Sequence, residues 1–550
     1  MAPLSAADSA AESVTAPEEA ADASATSNLC SALGAVREKQ SSIRQLLSLA
    51  LPIMTSCMLG FLMNVVDLQF VGHLGTNELA AAALGNALWA TVALPLQGCA
   101  SALDTFLSQA FGAKQYAEYG WWVQVATVCM TALSIPVAIF LACAEQLLLG
   151  IGQEPQVAAS AGRFCIGLIA GVPPFIAFLC LSKCLQAQNI LAPAICIALI
   201  ANVLNVFANW LLIYQLGLGL AGAPIATSLS RWVQLLLLVG YLRFSRKRLG
   251  ATLPGLQVRW RQLPAMSARF FRLGAPGALM LALEAWSFDL STVMAGYLGA
   301  LSLDAHTILL SIIAFTFVSF PLALGIAAAI RVGHCLGAGD GVSAKLTAKL
   351  TIVCSLAFMA SLAVAKLAFR HSIGYIFTSD VAVVAKVASL VYIAALFQVS
   401  DGLQAAVAGI MRGMGKQHLV AALNFVGFWL IGIPVGALLT FRFRVGVAGL
   451  WWGLFVGLTS VATIGLVALW RTDWEAEARR ALVRVQSQAA SMTAAPKAKV
   501  TATAAATITT TTTTTASPCK NVRLYAFGLP VEMPVAPPTE DCVRMSHRVV

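Results

Sequence analysis

Charge is what this sequence has least of. Only 11% of its 550 residues are Asp, Glu, Lys or Arg, and 59% are hydrophobic. A soluble globular chain is about a quarter charged, so an ordinary soluble domain is excluded. No Gly-x-x-x-x-Gly-Lys-Ser/Thr motif is present, so ATP is not the direct driver of whatever the chain does. The thirteen cysteines include no CxxC pair of the metal-binding kind. Cys57, Cys99, Cys129, Cys143, Cys165, Cys180, Cys184, Cys196 and Cys354 lie inside apolar runs and read as small buried residues. No metal and no cofactor is expected. The opening MAPLSAADSAAESVTAPEEAADASATSN lacks an apolar core and reads as a disordered cytosolic tail rather than a signal peptide.

What is present is a series of apolar runs of about 20 residues, the length of a membrane-spanning helix. The runs are continuous rather than alternating, which argues against a β-barrel. Twelve spans are expected, near 47–71, 79–103, 121–143, 158–181, 190–214, 219–242, 273–298, 304–330, 346–368, 384–410, 420–440 and 446–470. The fold class is therefore all-α, polytopic and embedded in a lipid bilayer. An even number of spans puts both tails on one side. Lys114, Lys183, Arg331, Lys345, Lys349, Arg412 and Lys416 fall in loops of that side, with a cluster from Arg243 to Arg272. The bias makes that side cytosolic, and it explains the basic cluster better than a nucleic-acid partner does. The membrane itself, plasma or acidic organelle, is left open.

The chain also repeats itself. ALPI at Ala50–Ile53 faces GAPG at Gly274–Gly277, and VGHLGTNELA at Val71–Ala80 faces AGYLGALSLD at Ala295–Asp304, both at an offset of 224. QAFGAKQ at Gln109–Gln115 faces HCLGAGD at His334–Asp340, QAQN at Gln186–Asn189 faces RGMG at Arg412–Gly415, and LGLGLAGAP at Leu216–Pro224 faces FRVGVAGLW at Phe443–Trp451. The ordered matches divide the chain into a tail at 1–42, an N-lobe of six helices at 43–242, a basic cytosolic linker at 243–272, a C-lobe of six helices at 273–471 and a low-complexity cytosolic tail at 472–550. Parallel repeats of this kind point to a transporter, expected to be a monomer.

SALDTFLSQAFGAKQY (Ser101–Tyr116), KCLQAQNILAPAICIALIANVLNVFANWLLIY (Lys183–Tyr214), LGLGLAGAPIATSLSRW (Leu216–Trp232), VGHLG (Val71–Gly75) and RVGHCLGAGD (Arg331–Asp340) resemble the multidrug and toxic compound extrusion (MATE) family. LEAWSFD at Leu283–Asp289 resembles the seventh-helix motif of its eukaryotic branch. The resemblance covers about residues 45–470. It implies a twelve-helix exporter of small organic cations or weak bases, driven by inward H+, with Na+ as the alternative coupling ion. It makes Glu284 the central proton- and cation-binding residue and Asp401 the acid opposite it, both also in contact with substrate. Asp289 is a further acid at a family position. Asp67, with Asn64 before it, matches a prokaryotic pattern and departs from the eukaryotic one; Asn202 or Asn205 are its expected neighbours. Asp104, Gln109 and Gly112, with Lys114, form the family's signature, and Arg331 holds the matching place in the second lobe.

Physical chemistry supports attention to these acids. A carboxylate at the centre of a membrane helix is rare, costs about 3 kcal/mol on insertion scales, and usually faces a cavity or a partner. A carboxylate that alternates between binding a proton and binding a cation offsets that cost and is what an antiporter needs. Glu284 and Asp289 are about 140° apart on a helix and do not share a face. Trp286 is a candidate cation–π partner, and His306 either titrates with the acids or packs as a polar residue. Rival readings are a lipid-linked sugar flippase of the same superfamily, which would want a basic cavity, and a membrane enzyme, for which no His-, Asp- or Ser-based constellation stands out.

Overall fold

The computed structural model describes residues 16–250, 252, 260 and 262–493, with side chains from 39 to 487 within that set, Arg248 excepted. Arg259, Arg261, residues 1–15 and the threonine-rich stretch after 493 lie outside the described residues. Among the described residues there is no strand. Twelve membrane spans follow in order when one bent pair is counted as a single span. In the N-lobe they are α1 (Ala16–Gly72), α2 (Thr76–Gly112), α3 (Tyr116–Ala142), α4 (Pro155–Ile169 with Val172–Gln186), α5 (Ala192–Gln215) and α6 (Gly219–Phe244). In the C-lobe they are α7 (Leu263–Gly296), α8 (Ala300–Gly337), α9 (Gly341–Ala368), α10 (Val381–Met414), α11 (Gln417–Arg442) and α12 (Val447–Trp470). A last helix, α13 (Trp474–Thr493), lies beyond the spans.

Three boundaries differ from the sequence reading. Helix α1 begins at Ala16, inside the segment read as a disordered tail. Its Ala- and Glu-rich start has high helix propensity, which an apolar-run criterion does not register. Helix α7 begins at Leu263, so the basic linker is shorter than 243–272. Helix α4 is not one straight span. It bends by 50° between Ile169 and Val172, where Pro173 and Pro174 deny the backbone two donors yet suit a new helix start.

Helix α13 corrects the reading of 472–550 as low-complexity tail. Asp473 caps it, accepting from the backbone N–H groups of Glu475 and Ala476, each at 3.1 Å. Those N–H groups, Ala476 first, hold the Asp473 carboxyl below its usual range. Trp474, Ala478, Ala481 and Val485 form a buried stripe at helical spacing. Trp474, Ala478 and Ala481 join a core with Leu336 of α8, Ala344 of α9 and Met414 of α10.

The lobes meet along α1, α2, α7 and α8. Leu46, Leu49, Ala50 and Ile53 of α1 pack on Phe320, Leu324, Ala327 and Ile330 of α8. Small residues bring the backbones close where α2 meets α7 and α8, as is usual between membrane helices. A Cβ at Gly112 would overlap the His334 carbonyl oxygen, and one at Gly337 the Gln109 carbonyl oxygen. Gly112→Val is therefore expected to lower stability by about 1–3 kcal/mol through overpacking. Thermal unfolding of the purified protein checks this, and an unchanged transition contradicts the close approach.

Candidate functional site

The side on which α1 starts and α12 ends is closed. Thr105 Oγ1 of α2 donates to the Arg412 carbonyl oxygen of α10 at 2.5 Å, and Gln109 Nε2 to the Gly413 oxygen at 2.9 Å. Gln417 Nε2 of α11 donates to Thr105 Oγ1 at 3.0 Å. Helix α10 presents these acceptors because Gly415, at φ 77°, ends it in the left-handed region and exposes its last carbonyls. Helix α13 lies across the same ends: Arg484 Nη1 donates to Gln109 Oε1 at 3.0 Å and to the Met414 oxygen at 3.4 Å, and Glu477 pairs with Lys416 at 2.9 Å.

Inside the C-lobe, Glu284 is held by amides from two helices. Its Oε2 accepts from Gln404 Nε2 of α10 at 3.1 Å and from Asn424 Nδ2 of α11 at 3.4 Å. Asn424 also donates to the Met280 carbonyl at 2.9 Å, and Trp429 Nε1 to the Leu283 carbonyl at 2.9 Å, so α11 is fixed to α7 over the turn that precedes the acid. Glu284 lines a cavity of about 20 Å³ with Gln404, Arg412, Met280 and Phe317. That is room for one water, not for an organic cation. Asp401 is buried one turn of α10 before Gln404 and has Glu284 and Lys366 as electrostatic neighbours. Lys366 Nζ is itself buried without a hydrogen-bond partner.

Two candidates do not join this pocket. Trp286 is 38% exposed, about 200° around α7 from Glu284, and Asp289 is exposed on another face. Phe288 packs into the lobe against Phe397 and Phe428, and Tyr297 is 81% exposed just past the end of α7. His306 is fully buried between Ser291, Thr292 and Trp451, which is polar packing.

The N-lobe holds a buried acid of its own. Asp67 Oδ1 accepts from Asn209 Nδ2 at 2.8 Å, and Oδ2 from the Thr227 hydroxyl. Asn205 is in the cluster, its Oδ1 accepting from Asn209 at 3.2 Å, but Asn202 is not: it donates to the Leu59 and Ala198 carbonyls. One turn along α6 from Thr227, the buried Arg231 guanidinium lies 4.2 Å from the Trp89 ring centroid and 5.2 Å from that of Phe175. Asn209, Thr227 and Arg231 were missed by sequence reasoning. The signal was the four-residue spacing of Asn205 to Asn209 and of Thr227 to Arg231.

At the closed ends, Asp104 Oδ1 pairs with Lys183 Nζ of α4 at 2.6 Å. Arg331, expected to play the matching part in the C-lobe, forms no ion pair among the described residues, and its Nε has no partner. No group of His, Cys, Asp and Glu among the described residues has the geometry of a metal site, and the ten cysteines whose side chains are described form no disulfide.

The chain matches the family model described as MatE over residues 52–211 and 276–438, one block in each lobe. It is 33% identical over 465 residues to Protein DETOXIFICATION 16 of Arabidopsis thaliana, covering 83% of this chain and 94% of that one. It is 30% identical over 450 residues to Multidrug and toxin extrusion protein 1 of Danio rerio, covering 82% and 75%. The eukaryotic MATE transporter AtDTX14 has the same fold at a TM-score of 0.78 with 29% identity, over 82% of this chain and all of that one (100%). The Vibrio cholerae MATE transporter VcmN in its bent form matches at 0.70 with 19% identity, covering 82% and 99%, a likeness of fold.

Proposed function

Since this chain belongs to the MatE family of multidrug and toxic compound extrusion transporters, we propose that it exports small organic cations or weak bases in exchange for protons, by alternating access, with Glu284 and Asp401 as the shared binding carboxylates. The chain is a multi-pass membrane transporter and not an enzyme. The observation that carries the proposal is Glu284 itself. It is a carboxylate inside a membrane span, held by neutral amides and opening on a space the size of one water. An acid there is tolerated when it takes a proton or meets a cation. A cavity this small admits the proton; the organic cargo needs the lobes to move apart. The Lys and Arg bias of the tail side supports a cytosolic placement of both tails. Export then runs out of the cytosol, across the plasma membrane or into an acidic compartment.

A sodium-coupled reading has one observation in its favour. The Asp67 cluster gathers hard oxygen atoms, and Asn209 Oδ1 there is buried without a partner. The adjacent Arg231 counts against a metal cation in that lobe. Asp67→Asn is expected to slow efflux about threefold to tenfold while leaving its proton dependence in place, as measured in vesicles at two pH values. A normal rate in the variant reduces Asp67 to a structural acid; loss of a sodium-driven component moves the coupling site to the N-lobe.

A further inference from the structure

Two buried charged atoms in opposite lobes are left without partners. Asp104 Oδ1 takes Lys183, but Oδ2 accepts from nothing, and Arg412 Nε donates to nothing. The residues are 3% and 6% exposed. They sit on directly joined elements, since Thr105, next to Asp104, donates to Arg412's own carbonyl oxygen at 2.5 Å. Arg412 also lines the 20 Å³ cavity beside Glu284 and Gln404. Its electrostatic neighbours are Asp104 across the seam and Glu284 within its own lobe. One guanidinium thus stands between the carboxylate that binds the transported cation and the carboxylate that lies on the closed seam.

We propose that Arg412 is the positioning residue that couples the charge on Glu284 to the seam between the lobes, an inference that rests on Glu284 being the cation site. With every group ionised, the seam and the C-lobe pocket together hold three acids, Asp104, Glu284 and Asp401, and three bases, Lys183, Lys366 and Arg412. The empty carrier is balanced, and burial of a balanced, closely spaced set is sustainable. A proton or a monovalent organic cation on Glu284 leaves one net positive charge buried, and opening the seam to water relieves it. Loaded carriers of either kind then reorient and empty ones do not, which is the condition for obligatory exchange. The other charged and titratable groups around the rim are Arg331 on α8, His334 with the Ala187 carbonyl, Lys416 with Glu477, and Arg484 on Gln109. In the N-lobe, Asp67 and Arg231 contribute one charge of each sign.

The test uses the full-length protein in proteoliposomes with ethidium as the cation probe and an imposed proton gradient. Arg412→Gln and Asp104→Asn, singly, are each expected to lower gradient-driven ethidium uptake about tenfold, within the 5–150-fold span of site-to-site coupling; in Asp104→Asn the empty carrier already holds a net positive charge, so that variant also dissipates the gradient without ethidium. The double variant restores the charge balance, and uptake is expected to return to within about threefold of wild type. A residue that only packs gives no such recovery. Should a single variant fail to fold, recovery of folded, exchanging protein in the double supports the coupling equally. Normal uptake in Arg412→Gln, an intact gradient without ethidium in Asp104→Asn, or a double no better than the singles, overturns the proposal. Equilibrium ethidium binding separates this coupling from the site on which it rests. Weakened binding in Glu284→Gln with near-normal binding in Asp104→Asn, whose side chain lies on the seam and outside the pocket lining, is expected; unchanged binding in Glu284→Gln overturns the site reading on its own.

Discussion

Glu284→Gln is expected to cut proton-coupled efflux of an organic cation by about a hundredfold while the protein still folds and enters the membrane. The glutamine has the same length, and its carbonyl oxygen still accepts from Gln404 and Asn424, so the packing between α7, α10 and α11 survives. What goes is the negative charge and the exchangeable proton. Losing one partner of a buried charge pair costs about 2–5 kcal/mol, and roughly 3 kcal/mol is a hundredfold. Asp401→Asn is expected to come close to the same loss, because the two acids are electrostatic neighbours inside the lobe and their protonation is coupled. Efflux from cells expressing each variant, compared at two external pH values and at matched surface expression, measures this. A normal rate with a normal pH response in either neutral variant removes that residue from the site.

The second large effect belongs to the seam. Lys183→Met is expected to destabilise the protein by about 3–5 kcal/mol, the penalty for leaving a buried carboxylate without its partner. The ion pair with Asp104 is short, 2.6 Å, and both side chains are nearly dry, at 9% and 2% exposure. Replacing both, Lys183→Met with Asp104→Leu, is expected to recover most of the loss, since a packed apolar pair of similar volume is often as stable as the ions it replaces. Thermal unfolding of purified protein gives the comparison. A single variant as stable as wild type means that Asp104 is solvated or neutral in the membrane. A double variant no better than the single means that the penalty comes from shape.

The parts of the fold and site that the sequence exposes are those carried by a single periodicity or a single rare residue. Long apolar runs gave the spans, the drifting offset near 224 gave the repeat, and acids inside apolar runs drew attention to Glu284, Asp401 and Asp67 as candidates. Features that need two elements at once were hidden. Asn209, Thr227 and Asn424 are ordinary polar residues until α1, α5, α6, α7 and α11 bring them to a carboxylate. Lys183 reads as one more positive residue in a tail-side loop, yet it is buried on Asp104. Helix α13 was legible in principle. The spacing of Trp474, Ala478, Ala481 and Val485 is helical, and Asp473 is a capping residue, but the threonine-rich stretch further on drew the whole segment into one low-complexity reading. Trp286, a candidate cation–π partner, is two residues from Glu284, and the helical turn places it about 200° around α7 from that acid.

Uptake of ethidium into proteoliposomes under an imposed proton gradient or an imposed sodium gradient, for wild type and Glu284→Gln side by side, decides whether the Glu284 carboxylate carries proton-coupled exchange. Wild-type uptake is expected to need the proton gradient, to ignore sodium, and to disappear in the variant. Uptake driven by sodium alone, or proton-driven uptake that persists without the Glu284 carboxylate, contradicts that role.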